Sequence, residues 1–150
     1  MPRRKLIEEK LTGSAIGEFF EVYNVLGFGF LEAIYIRALE WELRERGHGV
    51  ARQMGVNVRY KSIDVGQQRI DLLVDGKLVI ETKSTLELHK SASRQLYNYL
   101  HATNLEVGLL FHFGPDAKFY RVFCERKFKK YPDESDVSVE CVIPSSVGPA

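Results

Sequence analysis

From Lys5 to Leu26 apolar side chains return at helical spacing, with Leu11, Ala15, Phe19, Val22 and Leu26 three or four residues apart. That period predicts an amphipathic helix with one buried stripe. "LGFGF" interrupts it, because Gly27 or Gly29 can take the positive φ that ends a helix. A second helical pattern runs from about Phe30 to Arg46 and stops at Gly47. The period then changes. "VARQMGVNVRYKS" alternates and is rich in Val and Tyr, as a strand is. "RIDLLVDGKLVIETKS", Arg69 to Ser84, reads as two strands joined at Asp75-Gly76. A third helix is predicted from about Leu88 to Ala102. "EVGLLFHF" is a nearly continuous apolar run, as in a strand covered on both faces, and "KFYRVFCE" alternates as its partner. The order is helix, helix, strands, helix, strands, which predicts a mixed sheet with helices packed on it, α/β or α+β. Residues 1–130 read as one domain. The tail 131–150 is rich in Pro, Ser, Asp and Glu, and is expected to be loosely ordered or to add one edge strand through "VSVECVI".

The Arg69–Ser84 hairpin sets its own register problem. A two-residue type I′ turn at Asp75-Gly76 would set Asp71 opposite Ile80 and mix charge into the core face. A three-residue loop with Gly76 left-handed avoids this. It lines up Ile70, Leu72 and Val74 with Leu78 and Ile80, and gathers Asp71, Glu81 and Lys83 on the other face. The odd loop is therefore predicted over the commoner turn.

Charge and cysteine content narrow the classes. The formal net charge is +1, from 21 basic and 20 acidic residues, so local patches matter more than the sum. Basic residues cluster in "PRRK", "RERGHGVAR" and "ERKFKK". Each is either a solvated surface or a contact for nucleic-acid backbone. Cys124 and Cys141 lack CxxC spacing, and no HExxH accompanies the histidines, which argues against structural zinc or a disulfide scaffold. No apolar run approaches the ~18 residues of a membrane span. A soluble, cytoplasmic protein with no membrane partner is expected.

Charges inside an apolar hairpin are costly unless paired, hydrated or bound to metal. One reading of Asp71, Glu81 and Lys83 is a cross-strand salt bridge worth only ~0.2–1 kcal/mol. The other is a hard-metal site: two carboxylates and a backbone carbonyl can hold Mg²⁺, with Mn²⁺ as a substitute. Lys83 would then lie beside a metal-held water and could orient it. Two helices add candidates. Glu32, Tyr35, Leu39 and Leu43 fall on one stripe, which puts a carboxylate at the end of a core-facing row. Gln95 and Tyr99 are i, i+4 neighbours flanked by Ala92, Leu96 and Leu100.

"LGFGFLEAIY" contains GxxExxY as Gly29, Glu32 and Tyr35. With "RIDLLVDGKLVIETKS", "QLYNYL" and "VGLLFHFG" in that order, the chain from about Leu11 to Val122 resembles the small prokaryotic GxxExxY proteins. These are a branch of the PD-(D/E)xK nuclease superfamily. The resemblance implies a restriction-endonuclease-like core, a central mixed four-stranded sheet flanked by helices. It implies metal ligands Asp71 and Glu81, joined by Glu32 as the helix carboxylate of related branches. It implies Lys83 as the catalytic lysine, and Gln95 and Tyr99 as a QxxxY pair, with Tyr35 in support. The proline of the superfamily's name is Ile70 here.

The expectation is a Mg²⁺-dependent nuclease of low sequence specificity, acting on DNA in preference to RNA. A nucleic-acid-binding or regulatory module with weak or no cleavage is the alternative, and a plain interaction protein with a surface charge network is a third. Oligomeric state stays open, a homodimer included.

Overall fold

A computed structural model describes residues 7–124 and 139–140. Three helices are described, α1 (Glu9–Leu26), α2 (Glu32–Glu45) and α3 (Ala92–Ala102). The strands are β1 (Val50–Tyr60), β2 (Ile63–Val74), β3 (Leu78–Lys83), β4 (Val107–Phe113), β5 (Ala117–Phe123) and the short β6 (Val139–Glu140). They form one mixed sheet in the order β5-β4-β3-β2-β1-β6. Only β3 and β4 run parallel, joined by the α3 crossover, while the other neighbours are antiparallel. The α/β class expected from the sequence is the one observed, with a sheet wider than the four-stranded core. Apart from β6, the tail from residue 131 lies outside the described residues, as do "PRRK" up to Arg4 and Lys5 and the whole of "ERKFKK".

The two sheet faces bury different things. Helices α1 and α2 cover one face through Ala15, Phe19, Val22, Tyr35, Leu39 and Leu43, packed against Leu72, Val74, Leu78 and Ile80. Helix α3 covers the other through Ala92, Leu96 and Leu100, packed against Leu73, Val79 and Leu110. A strand between two helical layers must be apolar on both sides, and every residue of β4 is buried. At β4 the approach of α3 is close: a Cβ on Gly108 would stand 2.8 Å from a Leu96 methyl.

The β2–β3 loop is the odd one. Val74 pairs with Leu78, which leaves Asp75, Gly76 and Lys77 between the strands. Asp75 and Gly76 both have positive φ, 52° and 66°, and the Lys77 amide donates to the Val74 carbonyl at 3.0 Å. The Asp-Gly pair thus makes the tight turn, and Lys77 is the extra residue that restores the register. Left-handed Asp75 is held in place from outside. Its carboxylate accepts the Gly49 N–H at 2.8 Å and meets His48 Nδ1 at 2.7 Å, while His48 Nε2 meets the Ser14 hydroxyl at 3.0 Å.

One detail of the predicted face is corrected. Ile70 packs with Met54, Leu73 and Val79 in the α3-side core, not with Leu72 and Val74. The cause lies in β1. Gln53 has φ 54°, and the pairing passes from Arg52↔Leu72 to Met54↔Ile70 with no Gln53–Asp71 pair. Alternation changes phase there in both strands, so Met54 and Ile70 turn to the opposite layer.

Candidate active site

The β2–β3 ladder stops at Leu72↔Ile80. Beyond it the strands separate, and two carboxylates fill the gap. The Asp71 amide donates to Glu81 Oε1 at 3.3 Å. The Thr82 amide and hydroxyl donate to Asp71 Oδ2 at 2.8 and 3.0 Å. Asp71 and Glu81 therefore take over the hydrogen bonds that backbone carbonyls would have made. Such exchange satisfies the strand amides and keeps the carboxylates together at the edge of the core.

Glu81 is only 7 % exposed. Burial first, then the Asp71 carboxylate, push its pKa up to about 8; the Asp71 amide and the Lys83 ammonium oppose the rise, and Glu32 adds to it. A carboxyl in that position at neutral pH holds its proton or finds a cation.

Helices complete the surroundings. Glu32, the first residue of α2, accepts the Ser84 amide at 3.3 Å through Oε1. It shares a cleft of about 450 Å³ with Lys83 and Gln95, walled by Thr85 and Leu88 on the loop before α3. Tyr99 lies one turn after Gln95, half-buried. Burial, and then the Glu81 and Asp71 carboxylates, raise the pKa of its hydroxyl. The structure thus brings Glu32, Lys83 and Gln95 to one cleft and sets Asp71, Glu81 and Tyr99 beside it, from β2, β3, α2 and α3.

Tyr35 stands apart from the cleft and shapes its approach. Its ring is fully buried and stacks on Phe113 with centroids 4.0 Å apart. Its hydroxyl donates to the Gly27 carbonyl at 2.7 Å and accepts the Phe30 amide at 3.2 Å. The GxxExxY spacing has a local physical meaning. Gly29 takes φ 105°, Tyr35 fastens the loop, and Glu32 between them reaches the strand end. Tyr35→Phe keeps the ring and strands two backbone groups, so a loss of about 1–3 kcal/mol is expected in urea denaturation. An unchanged midpoint would deny the hydroxyl that task.

Sequence reasoning passed over three neighbours. Thr82 ties Asp71 to β3 through both its amide and its hydroxyl. Ser84 donates its amide to Glu32 and its hydroxyl to the Phe30 carbonyl. Buried His112, opposite Lys83 in β4, donates from Nε2 to the Thr85 carbonyl at 2.8 Å and fixes the cleft wall. Gly114 permits this, since a Cβ there would meet the His112 ring at 2.6 Å. The pairing of Ser and Thr with a carboxylate run was the available signal; His112 was hidden in an apolar strand.

The "RERGHGVAR" cluster is largely neutralised. Arg46 pairs with buried Glu18 at 2.9 Å, Arg52 with Glu40 at 3.4 Å, and Arg44 donates to the Val50 carbonyl at 2.6 Å. These pairings tie the α1–α2–β1 junction together.

The donor set has the chemistry of a divalent-cation site. Carboxylate oxygens on facing strands, one buried among like charges, suit a hard ion. Among the described residues no three His, Cys, Asp or Glu side chains are grouped to hold a metal by themselves. Backbone oxygen and water would have to supply the remaining positions, as Mg²⁺ generally prefers.

No helix among the described residues is long and apolar enough to cross a membrane. No curated protein and no solved structure matches the chain. A family model described as the PD-(D/E)XK nuclease superfamily matches residues 9–122, which spans all three helices and the strands that carry the carboxylates and the lysine. The chain belongs to the PD-(D/E)XK nuclease superfamily, whose members are phosphodiester hydrolases that generally use divalent metal ions.

Proposed function

We propose that the protein is a Mg²⁺-dependent nuclease that hydrolyses DNA phosphodiester bonds with little sequence selectivity. The observation that carries the reading is Glu81, a carboxyl buried beside Asp71 at the point where two strands part, with Lys83 two residues on. Asp71 and Glu81 would hold the metal directly, and Glu32 would reach it through water. The bound metal would supply Lewis acidity to the phosphate and lower the pKa of a water. Lys83, at the cleft, orients the attacking water and offsets charge on the phosphate as it grows. Gln95, across the cleft on α3, steadies Lys83 or a phosphate oxygen. Tyr99 closes the carboxylate side from bulk water, and Tyr35 fixes the loop that leads into Glu32. The spacing of Gly29, Glu32 and Tyr35 supports membership of the GxxExxY branch.

A cytoplasmic location fits a substrate of this kind. With no separate recognition domain in the described residues, positioning rests on backbone contacts, which carry no sequence information directly. The test sets supercoiled, linear and single-stranded DNA side by side, with RNA alongside, each with Mg²⁺, Mn²⁺ or a chelator. Loss of DNA that needs the metal and is stopped by the chelator is expected. Intact DNA in every lane, with binding retained, would favour the regulatory nucleic-acid-binding module instead.

A further inference from the structure

The loop between α1 and α2 is fastened on several sides and still presents its apolar side chains outward. The Gly27 amide donates to the Tyr23 carbonyl at 2.7 Å. The Tyr35 hydroxyl bridges Gly27 and Phe30. The Ser84 hydroxyl donates to the Phe30 carbonyl, which fastens the loop to the end of the strand that carries Lys83. Yet Phe28 is 52 % exposed, Phe30 44 % and Leu31 75 %. A loose loop could turn these side chains inward, whereas the tethers hold the backbone so that they face solvent. The very next residue, Glu32, lines the cleft. On the segment that follows β3, between the lining residues Thr85 and Glu87, Leu86 is 73 % exposed.

Apolar surface held out at the margin of a charged cleft calls for a partner with an anionic thread and flat apolar faces. A nucleic-acid strand has both. Its phosphates suit Lys83, which lines the cleft. In a duplex the base faces are covered by their neighbours. Side chains such as Phe28 can meet them only at an end, a gap or an unpaired segment. We propose that Phe28, Phe30 and Leu31 form a stacking platform for unpaired bases flanking the scissile phosphate. The preferred substrate is then a strand with a single-stranded portion, not an uninterrupted duplex. The inference rests on the nuclease reading of the cleft and adds the form of the substrate. Stacking of this kind tolerates any base, in keeping with low sequence selectivity.

The test uses the full chain with Lys83→Ala, so that substrate survives. Fluorescence anisotropy measures the Kd for a labelled single strand and for a blunt hairpin duplex of matching sequence. Phe28→Ala in that background is expected to raise the single-strand Kd about tenfold and leave the duplex Kd unchanged. Phe28→Tyr should restore it, because a flat ring returns. Leu31→Ser, at a still more exposed position, is the second variant and should act in the same direction if Phe28→Ala fails to fold. Equal weakening on both forms, or no change on either, would overturn the platform. If wild-type protein also cleaves single strands with metal, the nuclease reading outlives that loss. Absence of both cleavage and nucleic-acid binding in the wild type would sink the two together. Self-association abolished by the same substitutions, without effect on the single-strand Kd, would assign the patch to a second copy of the chain and overturn the proposal.

Discussion

Lys83→Ala is expected to lower the rate of DNA cleavage by about 10²–10³-fold while divalent-metal and DNA binding persist. Lysine is no ligand for a hard cation, so its loss leaves the oxygen donors in place. What disappears is the ammonium that, among the described residues, acts on Glu81 and also lines the open cleft. The side chain is only partly buried, so truncation creates no core cavity and the fold should hold. Single-turnover rates, set beside calorimetric metal titration, separate the two effects. A pure Lys83→Ala sample that cleaves at the wild-type rate would remove the lysine from the mechanism.

Glu81→Gln should act in the reverse manner, with metal affinity lost and the metal-free fold strengthened. The sign follows from proton counting. The folded protein holds the Glu81 proton up to about pH 8, whereas an unfolded chain releases it near the ordinary glutamate value of 4.5. Between those values the native state binds more protons, so its stability falls as pH rises, by about 1.4 kcal/mol per pH unit from this group. Gln has no proton to hold and can still accept the Asp71 amide. Urea denaturation across pH 5 to 8, without metal, should therefore give a shallower decline for the variant than for the wild type. Asp71→Asn should also weaken metal binding, since Asn brings no charge. Calorimetry with unchanged Mg²⁺ or Mn²⁺ affinity in both variants would return Asp71, Glu81 and Lys83 to the salt-bridge reading.

The parts legible in the sequence were those set by period. Seven consecutive buried residues in β4 read directly as a strand between two layers. The odd loop at Asp75–Lys77 followed from alternation alone, because any even loop would have turned Asp71 toward the wrong layer. What stayed hidden was set by partners distant in sequence. Gln53 takes a left-handed conformation that no local propensity favours, and its consequence falls on Ile70 in another strand. Phe30 and Leu31 continue the apolar pattern of α2, yet the helix begins only at Glu32, since the Tyr35 hydroxyl and Ser84 hold the preceding backbone as a loop. The arginines of "RERGHGVAR" read as open positive charge because Glu18 and Glu40, which pair with Arg46 and Arg52, lie on helices upstream. The acidic pair and the lysine were visible as residue types. Their setting at a break in the ladder was not.

That break has a consequence for hydrogen exchange. The amides of Asp71 and Thr82 owe their protection to side-chain carboxylates in place of neighbouring strands. A cation that draws those carboxylates toward itself competes with the amides for the same lone pairs. Two backbone protons deep in the sheet would then exchange faster in the presence of divalent metal, while the amides of Leu73 and Val79, held in the regular ladder, slow or stay as they are. Ligand binding ordinarily tightens a protein, and here the same event would loosen two positions, so a residue-resolved exchange map would locate the ion by the protons it sets free.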